Sequence, residues 1–491
     1  MHSYIRENYT MLFDFYELTM GKGYFLSGLK DKISYFDVFY RQNPDNGGYA
    51  IACGLEQIVD YINNLRFTEE DIEYLRSKKC FDEKFLDYLR TFRFTGDIYA
   101  MPEGTPIFPG EPVITVRASA IEAQFIETFL LLTFNHQSLI ATKANRIVRA
   151  ANGRAISEFG SRRAQGPGGA ILGARASYIA GCAGTACAIA DERFGVPATG
   201  TMAHSWVLMF DSEYEAFRAY CEVYPTNATL LVDTYNVLRH GVLESGIPNA
   251  IRAFNDVLKP RGITKCGIRI DSGDITYLTK RVRQMLDEAG WTECRIVVSN
   301  SMDEYLIREL IRQGAEIDAF GVGERLITSK SDPVFGGVYK LCAVEADDGT
   351  IIPKIKISEN VGKITTPHFK KVYRLRGRDT GKAEADLICV HDEVVDDTKP
   401  LEIFDPEYTW KRKTLTNFTA TELLVPIFRH GKQVYELPSL EEIRNRCAAE
   451  IAGMWDEVRR FSNPHNYYVD LSQKLWDIKH EMLRTRGVWK R

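Results

Sequence analysis

The stretch Cys266–Trp291, CGIRIDSGDITYLTKRVRQMLDEAGW, decides the fold class. Gly267 to Ile270 read as a short apolar strand, DSGD supplies turn formers, and Ile275 to Ala289 form an amphipathic helix stopped by Gly290. The next run, RIVVSNSMDEYLIRELIRQGAEIDAFGVG, repeats this order with Asp303 as helix cap, Gly314 as stop and a further strand at Ile317 to Phe320. Strand alternating with helix predicts parallel pairing.

Working outward, GRAISEFGSRR, ATGTMAHS and ATLLVDTYNV each end an apolar run with a polar group. Strand exits near Phe159, Ala203, Val232, Ile270, Val298 and Phe320 are spaced like the βα units of a barrel. An open doubly wound sheet is the alternative, because strand order cannot be read from the sequence. Residues 1–135 mix strands (YFDVFYR) with helices (GLEQIVDYINNL) and read as an N-terminal α/β domain. Residues 136–344 are the expected barrel. In 345–491, PKIKISEN and ITTPHFKKVYRL, with DDGT as hairpin turn, read as antiparallel strands. A tail that opens with the capping box Ser439/Glu442 then stays helical, with polar breaks, to the end.

The chain has 491 residues, 45% of them hydrophobic and 26% charged, which is enough for two or three domains. Lys and Arg total 62 against 66 Asp and Glu, with no basic tract, so nucleic acid is not an expected partner. The opening MHSYIRENYT shows no leader pattern and the apolar run FLLLTF is too short to cross a bilayer, so no membrane association is expected. Ten scattered cysteines without a C-x-x-C pair argue against a disulfide framework or zinc knuckle and fit a reducing, cytoplasmic setting.

In parallel α/β folds, functional groups gather at the carboxyl ends of the strands. The groups there are Arg162, Arg163, His204, Asp233, Arg269, Asp271, Asp274, Ser299, Asn300, Gly321 and Gly323. Together they describe anion binding beside carboxylates. FGVG alone reads as an ordinary turn, but arginines at other strand ends favour a phosphate cradle. In RIDSGD an arginine and an aspartate two residues apart share one strand face, suiting an anionic group beside sugar hydroxyls or a magnesium-bound diphosphate. His204 alone reads as a structural histidine, and Asp233 and the arginines on neighbouring units turn that reading towards chemistry. No strand end offers a lysine for Schiff-base formation, which disfavours an aldolase-type barrel. FDFYELTM by itself reads as a first helix with a core aromatic stripe.

The ordered set DFYELTM, YFDVFYR, EFGSRRAQG, GTMAHS, RIDSGD, FGVG and NPHNYYVDLSQKL resembles the nicotinate phosphoribosyltransferases nearly end to end. The resemblance implies an irregular, TIM-like α/β barrel between an N-terminal α/β domain and a C-terminal segment that packs back on it. It implies a homodimer with shared active sites. The pyridine ring would stack between Phe159 and, from the partner subunit, Tyr16. Arg162 would gather ring and diphosphate contacts, Arg269 would face the pyridine substituent, and Asp271 would accept a ribose hydroxyl. Gly321 and Gly323 would form the 5′-phosphate loop, Ser301 joins the substrate-binding set, and Asp233 lies beside the active-site histidine, His204. The implied reaction joins nicotinate to phosphoribosyl diphosphate, with ATP as co-substrate, Mg2+ carried by the substrate diphosphate and water, and His204 phosphorylated, in NAD salvage.

Glu324 after GVG departs from the small hydroxyl residue expected there. Relatives that act on the amide carry an aspartate at a position read here as Ala183, so nicotinate is expected over nicotinamide. The competing readings are a nicotinamide enzyme, a decarboxylating quinolinate enzyme, and a non-catalytic ligand-sensing scaffold of the same fold.

Overall fold

The computed structural model describes residues 8–239 and 245–486; the opening heptapeptide, part of the stretch in which no leader pattern is seen, lies outside them. The chain divides into two compact units: residues 140–333, and residues 1–139 with 334–491.

The first unit is built on six parallel strands: β1 (Ala155–Glu158), β2 (Gly184–Thr185), β3 (Thr229–Leu231), β4 (Gly267–Ile270), β5 (Arg295–Val298) and β6 (Ala319–Val322). Their order is β2-β1-β6-β5-β4-β3. First strand pairs with last, and all sequence neighbours except β2 and β3 lie side by side, which is not the order of a doubly wound sheet. The sheet is not closed. Among the described residues no pairing joins β2 to β3, and only an isolated bridge, Thr185 to Ala198, extends the sheet beyond β2. Ile156, Leu230, Ile268, Ile296, Val298 and Phe320 are buried, as parallel strands covered on both faces require.

Two sequence expectations shift. ATGTMAHS is not a strand: Ala198 makes only an isolated bridge, 199–203 are irregular, His204 and Ser205 open a helix, and from Pro197 to Ala203 only Met202 is buried, too little apolar surface to hold a strand in the sheet. The last strand runs two residues further than Ile317–Phe320, so Gly321 lies inside β6, paired with Ser157, and only Gly323 enters the turn. By contrast, helix Ile275–Glu288 begins where Asp274 caps it, Asp303 accepts the amides of Tyr305 and Leu306, and Gly290 and Gly314 adopt the left-handed backbone that ends each helix.

In the other unit, strand Ile33–Phe39 lies between Ile114–Ser119 and Val338–Glu345, both antiparallel to it. Val425–Arg429 pairs with Asp97–Ala100, so early and late segments share one seven-stranded sheet. Ser439 and Glu442 form the capping box of helix Leu440–Ala452. PKIKISEN is largely irregular after strand Ile351–Pro353, and the tail is not helical throughout: Val469–Leu471 adds a parallel strand beside Ala383–Val390. Among the described residues no helix is long and apolar enough to cross a membrane.

Candidate active site

The carboxyl ends of β1, β3, β4 and β5 bring most of the strand-end groups together. Asp233 follows β3 with its side chain only 2% exposed. One oxygen, Oδ2, accepts the Asp271 amide at 2.9 Å and the Ser272 hydroxyl at 2.7 Å, which locks it to the turn after β4. The other, Oδ1, has no hydrogen-bond partner and lies 3.8 Å from His204 Nε2.

His204 begins the short helix His204–Leu208 and its side chain is 41% exposed. Its Nδ1 lies 3.1 Å from the Thr234 hydroxyl. The imidazole therefore stands between a buried carboxylate and a hydroxyl with one edge open to solvent. Trp206, whose indole N–H donates to the Ala216 carbonyl at 3.1 Å and whose ring meets Tyr220 edge-on, fastens this helix to helix Glu213–Val223.

Arg269 leaves β4 and donates to the Thr201 hydroxyl, tying the irregular stretch before His204 to the sheet. Its Nε is buried without a partner. Burial lowers the guanidinium pKa, Asp271 and Asp233 oppose that, and Arg162 adds to the lowering. Arg269 is thus held among two carboxylates and a second arginine, with donor capacity unspent. Asp271 also accepts the Ser299 hydroxyl from the end of β5. A cleft of about 300 Å³ lies between these two turns, lined in part by Ser272, Asp274, Ser299, Asn300 and Ser301. Asn300 and Ser301 both hold left-handed backbone, at φ 85° and 42°, a strained arrangement of the kind that gathers at functional sites.

After β1 the turn is built by Glu158. Fully buried, it accepts the Gly160 amide and, at 2.6 Å, the Thr185 hydroxyl. Burial raises its pKa and those two donors oppose the rise. The turn presents Phe159, partly exposed, and Arg162 and Arg163, both exposed. The Phe159 ring lies on Gly321, where a Cβ would come within 2.4 Å of it. Gly321 is therefore the floor under an aromatic ring and not part of a loop. Glu324, the departure in the FGVG turn, pairs with Lys330 at 2.6 Å, which lowers its pKa and neutralises it beside Arg163.

Ser301 lines the cleft, where its hydroxyl bonds its neighbour Asn300 at 3.1 Å. Two expectations fall outside this cluster. Tyr16 belongs to the other compact unit, where it is 44% exposed on helix Phe15–Leu26 beside the exposed Phe15. Ala183 precedes β2 at the end opposite the mouth, its amide bonded to Ile156; the residue at the carboxyl end is Ala186, exposed, with its amide on the Glu158 carbonyl. Thr201, Thr234, Ser272 and Glu158 carry the site's hydrogen bonds and are not singled out by sequence. The signal for them is only that each is a polar residue within three positions of a strand-end group.

The N-terminal and C-terminal domain models of nicotinate phosphoribosyltransferase match residues 11–135 and 369–479. The nicotinate phosphoribosyltransferase of Bacillus subtilis is 42% identical over 96% of this chain and 94% of its own length. The pncB2 enzyme of Mycobacterium tuberculosis is 36% identical over 96% and 93%. The crystal structure of human nicotinic acid phosphoribosyltransferase superposes with a TM-score of 0.84 at 28% identity, covering 96% of this chain and 99% of that one. A nicotinate-nucleotide pyrophosphorylase from Pyrococcus furiosus, 24% identical with a TM-score of 0.69 over 92% and 98%, shares the fold.

Proposed function

Because the chain belongs to the nicotinate phosphoribosyltransferase family and is an enzyme of that type, we propose that it makes nicotinate mononucleotide from nicotinate and 5-phosphoribosyl 1-diphosphate, coupled to ATP hydrolysis through a phosphohistidine at His204. The ring nitrogen of nicotinate attacks the anomeric carbon, the bond from that carbon to the diphosphate oxygen breaks, and diphosphate leaves. The sugar passes through a cation-like state, so the protein's task is to position two reactants and to balance charge.

The observation that carries the coupling is the setting of His204. Asp233 Oδ1, unpartnered and buried, faces Nε2 and favours the tautomer with its proton there. Nδ1, beside the Thr234 hydroxyl, is then the nucleophile that takes the γ-phosphoryl group from ATP, releasing ADP. Hydrolysis of the phosphohistidine returns the imidazole and phosphate.

Phe159 over Gly321 gives one face for the pyridine ring, and the partner subunit's Tyr16 the other, in a homodimer with shared sites. Arg269 and Arg162 meet the nicotinate carboxylate and the leaving diphosphate, and Asp271 the ribose hydroxyls. Gly323 remains in the 5′-phosphate turn and Ser301 in the substrate-binding set. Mg2+ would be carried by the substrate diphosphate and water and would supply charge neutralisation on the diphosphate; among the described residues no group of three or more His, Cys, Asp or Glu side chains could hold a metal ion by itself. A methyl group at Ala186, with no carboxylate to accept an amide N–H or repel the substrate's anion, favours nicotinate over nicotinamide. The strand order with one open seam fits an irregular α/β barrel. The cysteines among the described residues, nearly all buried and none disulfide-bonded, fit a cytoplasmic enzyme of NAD salvage.

Radiolabelled nicotinate and nicotinamide, each with phosphoribosyl diphosphate and with or without ATP, test this directly. Nicotinate mononucleotide is expected to form faster with ATP, and the amide to react far more slowly. Equal efficiency on both bases, or no effect of ATP, contradicts the proposal.

A further inference from the structure

Glu17 is fully buried next to the exposed ring of Tyr16, and the reaction described above gives it no task. Its Oε1 accepts the Thr128 hydroxyl, and its Oε2 is buried with no partner. The same Thr128 oxygen accepts the amide of Asp14, the cap of helix Phe15–Leu26, at 3.2 Å. One hydroxyl on helix Glu127–Ala150 thus holds both the start of the first helix and its buried acid. The neighbouring charged and titratable groups come from every side. Asp14 lies on the same segment, Glu127 on the helix below, Tyr61 on helix Leu55–Asn64 and Tyr339 on strand Val338–Glu345. Lys340 on that strand acts on Glu127, which also faces the Tyr16 hydroxyl.

A carboxylate here would be desolvated and would face two further acids, whereas the neutral acid leaves only one O–H without an acceptor. Burial, followed by Glu127 and Asp14 against the opposing Thr128 and Asp14 hydrogen bonds, pushes the Glu17 carboxyl up to about 8. The Tyr16 hydroxyl is held above its ordinary range by its own partial burial and then by Glu127, so it does not titrate in the same interval.

We propose that Glu17 is the positioning residue for Tyr16: uncharged, it seats the first turn of helix Phe15–Leu26 in its buried site, and its ionisation, which sets a desolvated charge beside Glu127 and Asp14 that the Thr128 hydrogen bond does not offset, loosens that turn and weakens nicotinate binding without slowing transfer. This rests on Tyr16 stacking against the nicotinate ring. The sign follows from an acid whose pKa is raised by folding. Its favourable contribution is present below the ordinary value of 4.5 and is lost as pH rises to about 8, above which the folded chain carries the charge.

The test is the pH dependence of KM and kcat for nicotinate in the wild type, Glu17→Gln and Tyr16→Ala. The wild-type KM is expected to climb between pH 7 and pH 9 by up to about tenfold, the most that one group with a pKa of about 8 gives over that interval, with kcat nearly level. Glu17→Gln, which keeps the shape and cannot ionise, should hold its KM flat. Its melting temperature should gain on the wild type from pH 5 to pH 8 and no further beyond. A wild-type KM that stays level, or an alkaline rise that survives in Glu17→Gln, overturns the positioning role while leaving the stacking intact. If Tyr16→Ala has the wild-type KM at pH 7, the stacking itself is wrong and the proposal falls with it.

Discussion

Two arginine–carboxylate groups use the same chemistry to opposite ends. In the unit formed by residues 1–139 and 334–491, Arg374 and Asp386 are both fully buried and paired through two hydrogen bonds, 3.0 and 2.6 Å long. Arg374 also donates to the Pro106 carbonyl at 2.8 Å and to Glu450 at 3.2 Å. Tyr467 donates to Asp386 at 3.0 Å. Glu111, fully buried beside them, accepts the Phe108 amide at 2.9 Å, and burial followed by Asp386 pushes its pKa well up, which favours the neutral acid over a second anion. Four of this arginine's five N–H groups are used within the protein, and each of its three nitrogens has a partner. At the ends of β3 and β4, Arg269 and Asp233 each keep a buried polar atom unfilled, Nε and Oδ1, beside a partly exposed histidine. Charges paired with each other inside the protein hold a fold together; an arginine and a carboxylate that each keep an unfilled atom beside a partly exposed histidine await a ligand.

The contrast breaks most visibly on truncation. Arg374→Ala leaves Asp386 buried without its cation and should lose about 3–5 kcal/mol of stability in urea unfolding. Arg269→Ala should shift the urea midpoint little and cut kcat/KM about 10²–10³-fold, as removal of one charge-stabilising donor does. Similar losses of stability in the two variants would erase the distinction.

Asp233→Asn sharpens it at one atom. The amide can still accept from Asp271 and Ser272 through its oxygen, so folding and the nicotinate KM should change little. The ATP-dependent gain in rate should fall about 10²-fold, because the tautomer of His204 is no longer enforced. Steady-state kinetics with and without ATP measures both.

Gly321→Ala acts between the two regimes. Its Cβ overlaps the Phe159 ring, so the ring must move, at a cost of about 1–3 kcal/mol of stability. The nicotinate KM should rise with kcat less affected. A KM that stays at its wild-type value would remove Phe159 from the site.

The smallest effect concerns the shared dimer. Tyr16→Ala removes a stacking contact worth about 1 kcal/mol beyond its burial, and Arg162→Ala removes the facing cation. Each variant alone should be impaired, and mixing them should restore part of the activity through the one site per dimer that keeps both groups. No recovery on mixing, in dimers shown to exchange subunits, counts against the shared site.

Much of this contrast was legible in the sequence where local chemistry sets the structure. Asp303 caps its helix, Gly290 and Gly314 end theirs, and Ser439 with Glu442 forms a capping box, because each of those outcomes depends on residues within one turn. His204, Asp233, Arg269 and Asp271 were legible as strand-end polar groups in a βα repeat. What stayed hidden depends on distant partners. Gly321 belongs to β6 because Phe159, far earlier in the chain, packs on it. Ala186 and not Ala183 stands at the mouth because β2 is only two residues long and its register is set by β1. ATGTMAHS looked like a strand because its length and polar ending matched its neighbours, yet it buries too little to pair. Arg374 and Asp386 carry no sequence signal of their role, since a salt bridge across two antiparallel strands looks the same on paper whether buried or exposed.

The central claim is that His204 carries a phosphoryl group between ATP and the transfer reaction. Incubation with γ-labelled ATP, followed by acid and base treatment, measures it in the wild type and in His204→Asn. The wild type should retain label that survives base and is lost in acid. His204→Asn should carry none and should lose ATP hydrolysis, while a slow ATP-independent formation of nicotinate mononucleotide persists on the intact arginines and ring platform. Unchanged labelling in His204→Asn would place the chemistry on another residue.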